Sequence, residues 1–438
     1  MRFSFLNEEI FDYPNYEISS PMAVLSGVDK FGNRIDTIPL KDMHTLVIGA
    51  SNMGKTVVIR NMLCQTIQNS ESKHIIFDPK GEFCRQFYRE GQDYVMSLFD
   101  VPGIKGNVKW QLLKDAAIDD HPETAIEEIA RAICKEAVEN NKTNPFFPQA
   151  AESLITAIWK MAYRKYQNNL PHNDTLISKT RTLTREQLLN EANRVNEKGD
   201  KVNADILPVI NKILDPNGGV ATANVKQEME TILSLAFNPE GNFCSAGNFS
   251  VRDFIRNREN RGKRLFLVFD FATADSSKQI FGTLLDLMMK ESISIAERGE
   301  NERTYYYLDE FPVLPNNVSR IGSLCNFGRS MGNRVILGTQ SLPALYDVHG
   351  ENASHAMLSA FTNNIIMGLN DPVTIEKLAE RSGRKTKTVT QMGLTRNKVE
   401  SNSITTYKIP EEIMAQNDTG EAIISINGIS PFYVKLDP

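Results

Sequence analysis

Residues 49–56 read Gly-Ala-Ser-Asn-Met-Gly-Lys-Thr, a complete phosphate-binding loop of the form G-x-x-x-x-G-K-[ST]. The four residues before it, Thr45-Leu46-Val47-Ile48, are apolar or β-branched, as a buried strand requires. Beyond it, Val57, Val58, Met62, Leu63 and Ile67 recur at helical spacing and can share one face. The loop therefore joins a strand to a helix, the context that gives the motif its chemistry. Backbone N–H groups at the helix N-terminus point at phosphate, and the helix dipole favours its negative charge. Gly49, Ala50, Ser51, Asn52, Met53, Gly54, Lys55 and Thr56 are the candidate nucleotide-binding residues. Lys55 would hold the β- and γ-phosphates and the Thr56 hydroxyl would ligate Mg2+. ATP and magnesium are the expected ligands.

Composition bounds what surrounds this loop. The chain has 438 residues, 41% hydrophobic and 24% charged, which is room for roughly two or three compact units. A net charge of −5 announces no nucleic-acid binder, although a local basic surface or a pore built from several copies is compatible with that total. Five scattered cysteines without a C-x-x-C, and six histidines without an H-E-x-x-H, argue against a disulfide framework and a zinc site and fit a reducing compartment. Met1-Arg2-Phe3-Ser4-Phe5 runs straight into Asn7-Glu8-Glu9, which is not a signal-peptide pattern. Apolar runs such as Leu265–Phe269 are too short to span a bilayer. The expectation is a soluble, cytoplasmic chain.

Working outward, residues 1–44 have the composition of short strands and turns, with Gly27 to Asn33 as a hairpin loop. His74–Asp78 and Tyr94–Phe99 read as further strands, so the early chain alternates strand and helix like a parallel α/β sheet. The alternation stops near residue 115. From there to about 247 the spacing predicts helices at Glu123–Asn140, Gln149–Asn168, Arg185–Glu197 and Asn224–Phe237, with polar or Pro/Gly joints between them. Strands are expected again at Leu265–Asp270, Tyr305–Leu308, Arg334–Gly338, Asn364–Leu369, Ala422–Ile426 and Pro431–Val434, with helices at Lys278–Arg298 and Pro372–Ser382. The reading is a discontinuous nucleotide-binding domain, 1–114 and 248–438, holding an inserted all-α domain, 115–247.

The strand Tyr305-Tyr306-Tyr307-Leu308 ends in Asp309-Glu310. In P-loop ATPases a carboxylate at such a strand end helps to hold magnesium, and a second one beside it can deprotonate the attacking water. Asp309 is the expected metal ligand, with Thr56, and Glu310 the expected base. Asp78 and Asp270 also end strands, but neither has an adjacent carboxylate. The strand after the Asp-Glu pair ends Gly338-Thr339-Gln340, and the Gln340 amide suits a sensor of the γ-phosphate or of water. Arg329, in Phe327-Gly328-Arg329-Ser330, is the candidate for an arginine acting in a neighbouring subunit's site, with Arg334 second.

With these pieces in order, the chain resembles the type IV coupling proteins of bacterial conjugation and secretion, the TraD/TraG family, within the FtsK/HerA-like P-loop ATPases. The matching stretches are Gly49–Thr56, Ile76-Phe77-Asp78-Pro79-Lys80-Gly81-Glu82, Leu308-Asp309-Glu310-Phe311, Gly328-Arg329-Ser330, Gly338-Thr339-Gln340-Ser341-Leu342-Pro343-Ala344-Leu345 and Ile409-Pro410-Glu411-Glu412-Ile413. The resemblance covers roughly 40–110 and 260–438, and 115–247 by position and character. It implies a RecA-like core, with a central, mostly parallel sheet flanked by helices and an inserted, mostly helical domain. It also implies a hexameric ring that couples ATP hydrolysis to delivering DNA or protein substrate into a secretion channel. Family members usually begin with transmembrane helices, which this sequence lacks. That leaves a cytosolic form using a separate membrane anchor, peripheral at the inner face of the membrane, or a trimmed chain.

Two rival functions are compatible with the same motifs: a substrate-recruiting adaptor that binds nucleotide with little hydrolysis, and a DNA translocase of the HerA/FtsK kind unconnected with secretion. The densest basic stretch, Arg381 to Thr388 with Arg396 and Lys398 beyond, is read as an exposed loop suited to phosphate contact. No aromatic residue interleaves with it to stack on bases.

Overall fold

The computed structural model describes residues 11–438 except 142–143, 216–217, 301, 316–317, 329 and 393–398, with the backbone alone at 274–276, 387–392 and 399–405. In chain order the strands are β1 (Ala23–Val28), β2 (Arg34–Leu40), β3 (Thr45–Ile48), β4 (Ser72–Asp78), β5 (Tyr94–Ser97), β6 (Arg264–Val268), β7 (Arg303–Leu308), β8 (Asn333–Thr339), β9 (Asn363–Met367), β10 (Arg384–Met392), β11 (Val399–Tyr407), β12 (Glu421–Ile426) and β13 (Phe432–Leu436). The chain forms two compact units, one of Met1–Ser72, Arg303–Pro312 and Gly322–Pro438, the other of Lys73–Glu302 and Val313–Ile321.

In the first unit the strand order is β2-β1-β13-β12-β9-β3-β8-β7. β9, β3, β8 and β7 are parallel neighbours. β12, β13, β1 and β2 extend that sheet as an antiparallel edge. Every residue of β3 and β8 is buried, and each carries an apolar run, Leu46-Val47-Ile48 and Val335-Ile336-Leu337, because a parallel strand is covered on both faces. β1 alternates buried and half-buried residues instead. The expected hairpin joins β1 to β2, and its turn is held by Asp29, whose Oδ1 accepts the N–H groups of Phe31 and Asn33, each at 2.8 Å.

The strand order, which no sequence period encodes, positions the site. β8 lies between β3 and β7, with Ile48 opposite Thr339 and Leu308 opposite Leu337. The carboxyl ends of the three strands therefore lie side by side. The helix Lys55–Thr66 buries Val58, Ile59, Met62 and Leu63 and packs on β1, β3 and β8. A 2.7 Å hydrogen bond between Thr66 Oγ1 and the Tyr307 hydroxyl ties its far end to β7. Tyr306 and Tyr307 are fully buried, so the tyrosine run is strand core.

The basic stretch near 384 differs from its expected form. β10 and β11 pair as an antiparallel ribbon from Arg384 opposite Tyr407 to Met392 opposite Val399. Lysine and threonine alternate through Lys385-Thr386-Lys387-Thr388, and the β-branched Val389 and Thr390 follow, a strand signal that the charge content obscures. Arg396 and Lys398 lie outside the described residues.

In the second unit β4, β6 and β5 form a parallel group. Between 115 and 247 the described residues hold helices and turns and no strand, apart from a single bridge between Val195 and Lys201. The principal helices are Pro122–Asn140, Phe146–Lys165, Asn173–Thr182 and Gly219–Ala236. Both ends of this stretch are stitched at one place. Trp110 bridges to Phe249, and buried Asp115 accepts the N–H groups of Val251 and Arg252 at 3.2 and 2.9 Å. Arg252, 2% exposed, reaches Glu291 at 2.8 Å and Asp119 at 2.8 Å. A buried guanidinium is tolerated only with such partners. Among the described residues no helix is long and apolar enough to cross a membrane.

Candidate active site

The phosphate loop leaves β3 and turns sharply into its helix. Asn52 and Gly54 both take left-handed backbone, with φ of 63° and 104°, and Gly54 caps the helix at that geometry. Glycine reaches it without strain. The loop is held from outside by segments distant in sequence. Ala50 N donates to Gly368 O at 2.7 Å, and Gly420 N donates to Met53 O at 3.0 Å. Thr419 Oγ1 donates to Asn52 O at 3.3 Å.

Lys55 is 5% exposed, and its Nζ donates to Ala50 O at 3.0 Å and lies 3.9 Å from Glu310 Oε1. Thr56 Oγ1 donates to Asp309 Oδ2 at 3.1 Å. The two expected metal ligands, 253 positions apart in the chain, are thus brought together. Glu310 follows with φ of 50°. A non-glycine residue in that region carries strain on the order of 1–3 kcal/mol and is found where surrounding structure over-determines it. Its backbone N–H donates to Asp309 Oδ1 at 3.1 Å. Gln340 Nε2 donates to both Glu310 carboxylate oxygens at 3.0 Å, and Ser51 Oγ donates to Gln340 Oε1 at 2.9 Å.

Burial, and then the charge of Glu310, push the Asp309 carboxyl above the ordinary carboxylate range, against the opposing pull of the Thr56 hydroxyl and Lys55. A buried acid beside a second acid is a site that a cation relieves. The donor set is a hydroxyl and carboxylate oxygens, which are hard ligands. That oxygen donor set fits magnesium, which keeps several waters and shares its shell with substrate phosphates.

The chain matches, over residues 35–423, the family described as the type IV secretion-system coupling protein DNA-binding domain. The chain belongs to this family. Among solved structures it is similar to the unbound bacterial conjugative coupling protein TrwBdeltaN70, with TM-score 0.71 and 17% identity, covering 90% of this chain and 84% of that one. It is similar to the plasmid coupling protein TrwB in complex with ADP and Mg2+, with TM-score 0.68, 19% identity and the same coverage. VirB4 of Thermoanaerobacter pseudethanolicus matches with TM-score 0.52 and 12% identity, over 96% of this chain and 98% of that one. A search of the curated proteins gives no match. The RecA-like core, with its mostly parallel central sheet and flanking helices, is the fold of the coupling-protein structures.

Within this coupling-protein fold, the remaining candidate residues sit as follows. Arg329 lies outside the described residues. Arg334 is the second residue of β8, at the opposite end of that strand from Gln340, and is bound to Asp42 through Nε at 2.9 Å and Nη2 at 3.0 Å. Asp78 caps the next helix, accepting Glu82 N at 3.0 Å and Cys84 N at 2.8 Å. Asp270 Oδ1 accepts Ala272 N at 2.9 Å. Two supports escaped sequence reasoning. A Cβ on Gly338 would meet Asp309 Oδ1 at 2.6 Å and Ile59 Cδ1 at 2.9 Å, so any larger residue would have to displace one of these two side chains. Its place two residues before Gln340 was the available signal. The Thr419–Gly420 turn against the phosphate loop had none, because nothing local in the sequence encodes that approach.

Proposed function

We propose that this chain is an ATP-hydrolysing motor of the coupling-protein type, delivering DNA to a type IV secretion or conjugation channel. The observation that carries the reading is the approach of Thr56 to Asp309 at 3.1 Å with Glu310 alongside. ATP would lie on Gly49–Thr56, with Lys55 on the β- and γ-phosphates. Thr56 and Asp309 would hold magnesium, which supplies charge neutralisation on the transferred phosphoryl group. Glu310 would take the proton of the attacking water while its oxygen forms the bond to the γ-phosphorus and ADP departs. Gln340, hydrogen-bonded to Glu310, would stabilise charge developing on the γ-phosphoryl group. TrwB, of the same fold, was solved with ADP and Mg2+, which supports the choice of ligands.

The reading extends to assembly. A hexameric ring would let an arginine, Arg329 the first candidate, complete the neighbouring site. Residues 115–247 would act as the inserted domain that receives substrate. The helical content of that stretch and its two adjoining ends support this. DNA follows from the family's DNA-binding domain, and secretion components would be the further partners.

The test is steady-state ATP hydrolysis with and without duplex and single-stranded DNA, across a salt series. The motor reading expects DNA stimulation that weakens as salt rises, because phosphate contacts release counterions. Stimulation by a secreted protein and not by DNA would replace it with the adaptor reading.

A further inference from the structure

Gln340 is a long, exposed side chain, and what orients it is the phosphate loop itself. A carboxamide has an acceptor at one end and a donor at the other. Ser51 Oγ donates to the Oε1 end at 2.9 Å, and the Nε2 end donates to both Glu310 oxygens at 3.0 Å. Turned over, the amide would set its oxygen against the carboxylate and its NH2 towards the serine. The span is a product of the strand order: Ser51 follows β3, Glu310 follows β7, and Gln340 follows β8, the strand between them. The backbone at Gln340 is fixed on its far side, where Thr339 Oγ1 donates to Ser341 O at 3.0 Å and Leu342 N donates to Thr374 Oγ1 at 2.8 Å. Lys55 Nζ already forms a long ion pair with Glu310 Oε1, at 3.9 Å, and would draw the carboxylate closer onto the phosphate-binding lysine if the amide lets go.

We propose that Ser51 is a positioning residue for hydrolysis: by occupying the acceptor end of Gln340 it directs the amide's donor end to Glu310 and keeps that carboxylate from closing further onto Lys55. This rests on the role proposed for Glu310 as the base. It separates Ser51 from the rest of the loop, whose expected work is nucleotide contact. Loss of the hydroxyl then impairs the chemical step and leaves nucleotide binding in place.

Phosphate release by wild type, Ser51→Ala, Ser51→Thr, Gln340→Ala and the Ser51→Ala/Gln340→Ala double variant tests it. Ser51→Ala should lower kcat about five- to tenfold, the worth of one hydrogen bond, with KM for ATP within about twofold of wild type. Ser51→Thr, which keeps the hydroxyl, should restore kcat. In the Gln340→Ala background the Ser51 substitution should have no further effect, because the two residues act through one bond. The proposal is overturned if Ser51→Ala leaves kcat unchanged, if it acts on KM alone, or if the two losses multiply in the double variant. Glu310→Gln separates the two levels. An inactive Glu310→Gln with multiplying losses removes Ser51's role alone, whereas an active Glu310→Gln removes the hydrolytic reading itself.

Discussion

At the scale of the residue, Asp309 carries the site's principal electrostatic cost. Its carboxyl is raised by burial and then by Glu310, so the unfolded chain gives up that proton at lower pH than the folded one. As pH rises past the ordinary aspartate value, the folded state is therefore penalised, and the penalty is complete once pH exceeds the raised value. Asp309→Asn removes this term. Without nucleotide, the variant should melt above wild type at neutral pH, with the difference shrinking on acidification toward the ordinary aspartate pKa. With Mg2+ and ATP the order should reverse, because only wild type gains the stabilisation of a bound ligand. Melting temperature against pH, with and without Mg2+ and ATP, checks both signs. A difference that does not move with pH would mean that Asp309 is not strained by its surroundings. The identities of Asp309 and Glu310 were legible because an acidic pair after Tyr305-Tyr306-Tyr307-Leu308 breaks an apolar run. The bond from Ser51 to Gln340 was not, because it depends on which strand separates β3 from β7.

At the scale of the element, β8 does the joining. It buries all seven of its residues and brings Gly338 against Asp309. Gly338→Ala should displace the Asp309 side chain or the helix at Ile59, costing about 1–3 kcal/mol from overpacking. It should also abolish the Mg2+-dependent part of the thermal shift produced by ATP. Retention of the full shift would show that the strand yields at no cost to the metal ligand. The existence of β3, β7 and β8 could be read from their apolar runs, and the helix Pro372–Ser382 has its expected bounds. Strand order could not be read, since a period identifies a strand and not its neighbour. The β10–β11 ribbon was missed for a different reason: Arg384, Lys385 and Lys387 look like a solvated loop unless the β-branched Thr386, Thr388, Val389 and Thr390 beside them are counted.

At the scale of the whole molecule, the helical run from 115 to 247 was legible because each long helix carries its own apolar stripe. Ile126, Ile129, Ala130 and Ile133 lie on one face of Pro122–Asn140. The division of the chain at 72/73 and 302/303 was not, because compactness is set by long-range contacts that no local period records. Membership of the coupling-protein family joins this architecture to the site, and the account's central claim is that the site turns over ATP with Glu310 as base. The most direct measurement is ATP binding and phosphate release in the same preparations of wild type, Lys55→Ala and Glu310→Gln. Glu310→Gln should bind ATP as wild type does and release phosphate at least about 100-fold more slowly, the usual worth of a positioned base, while Lys55→Ala should lose both. Phosphate release by Glu310→Gln at a rate near that of wild type would contradict the account.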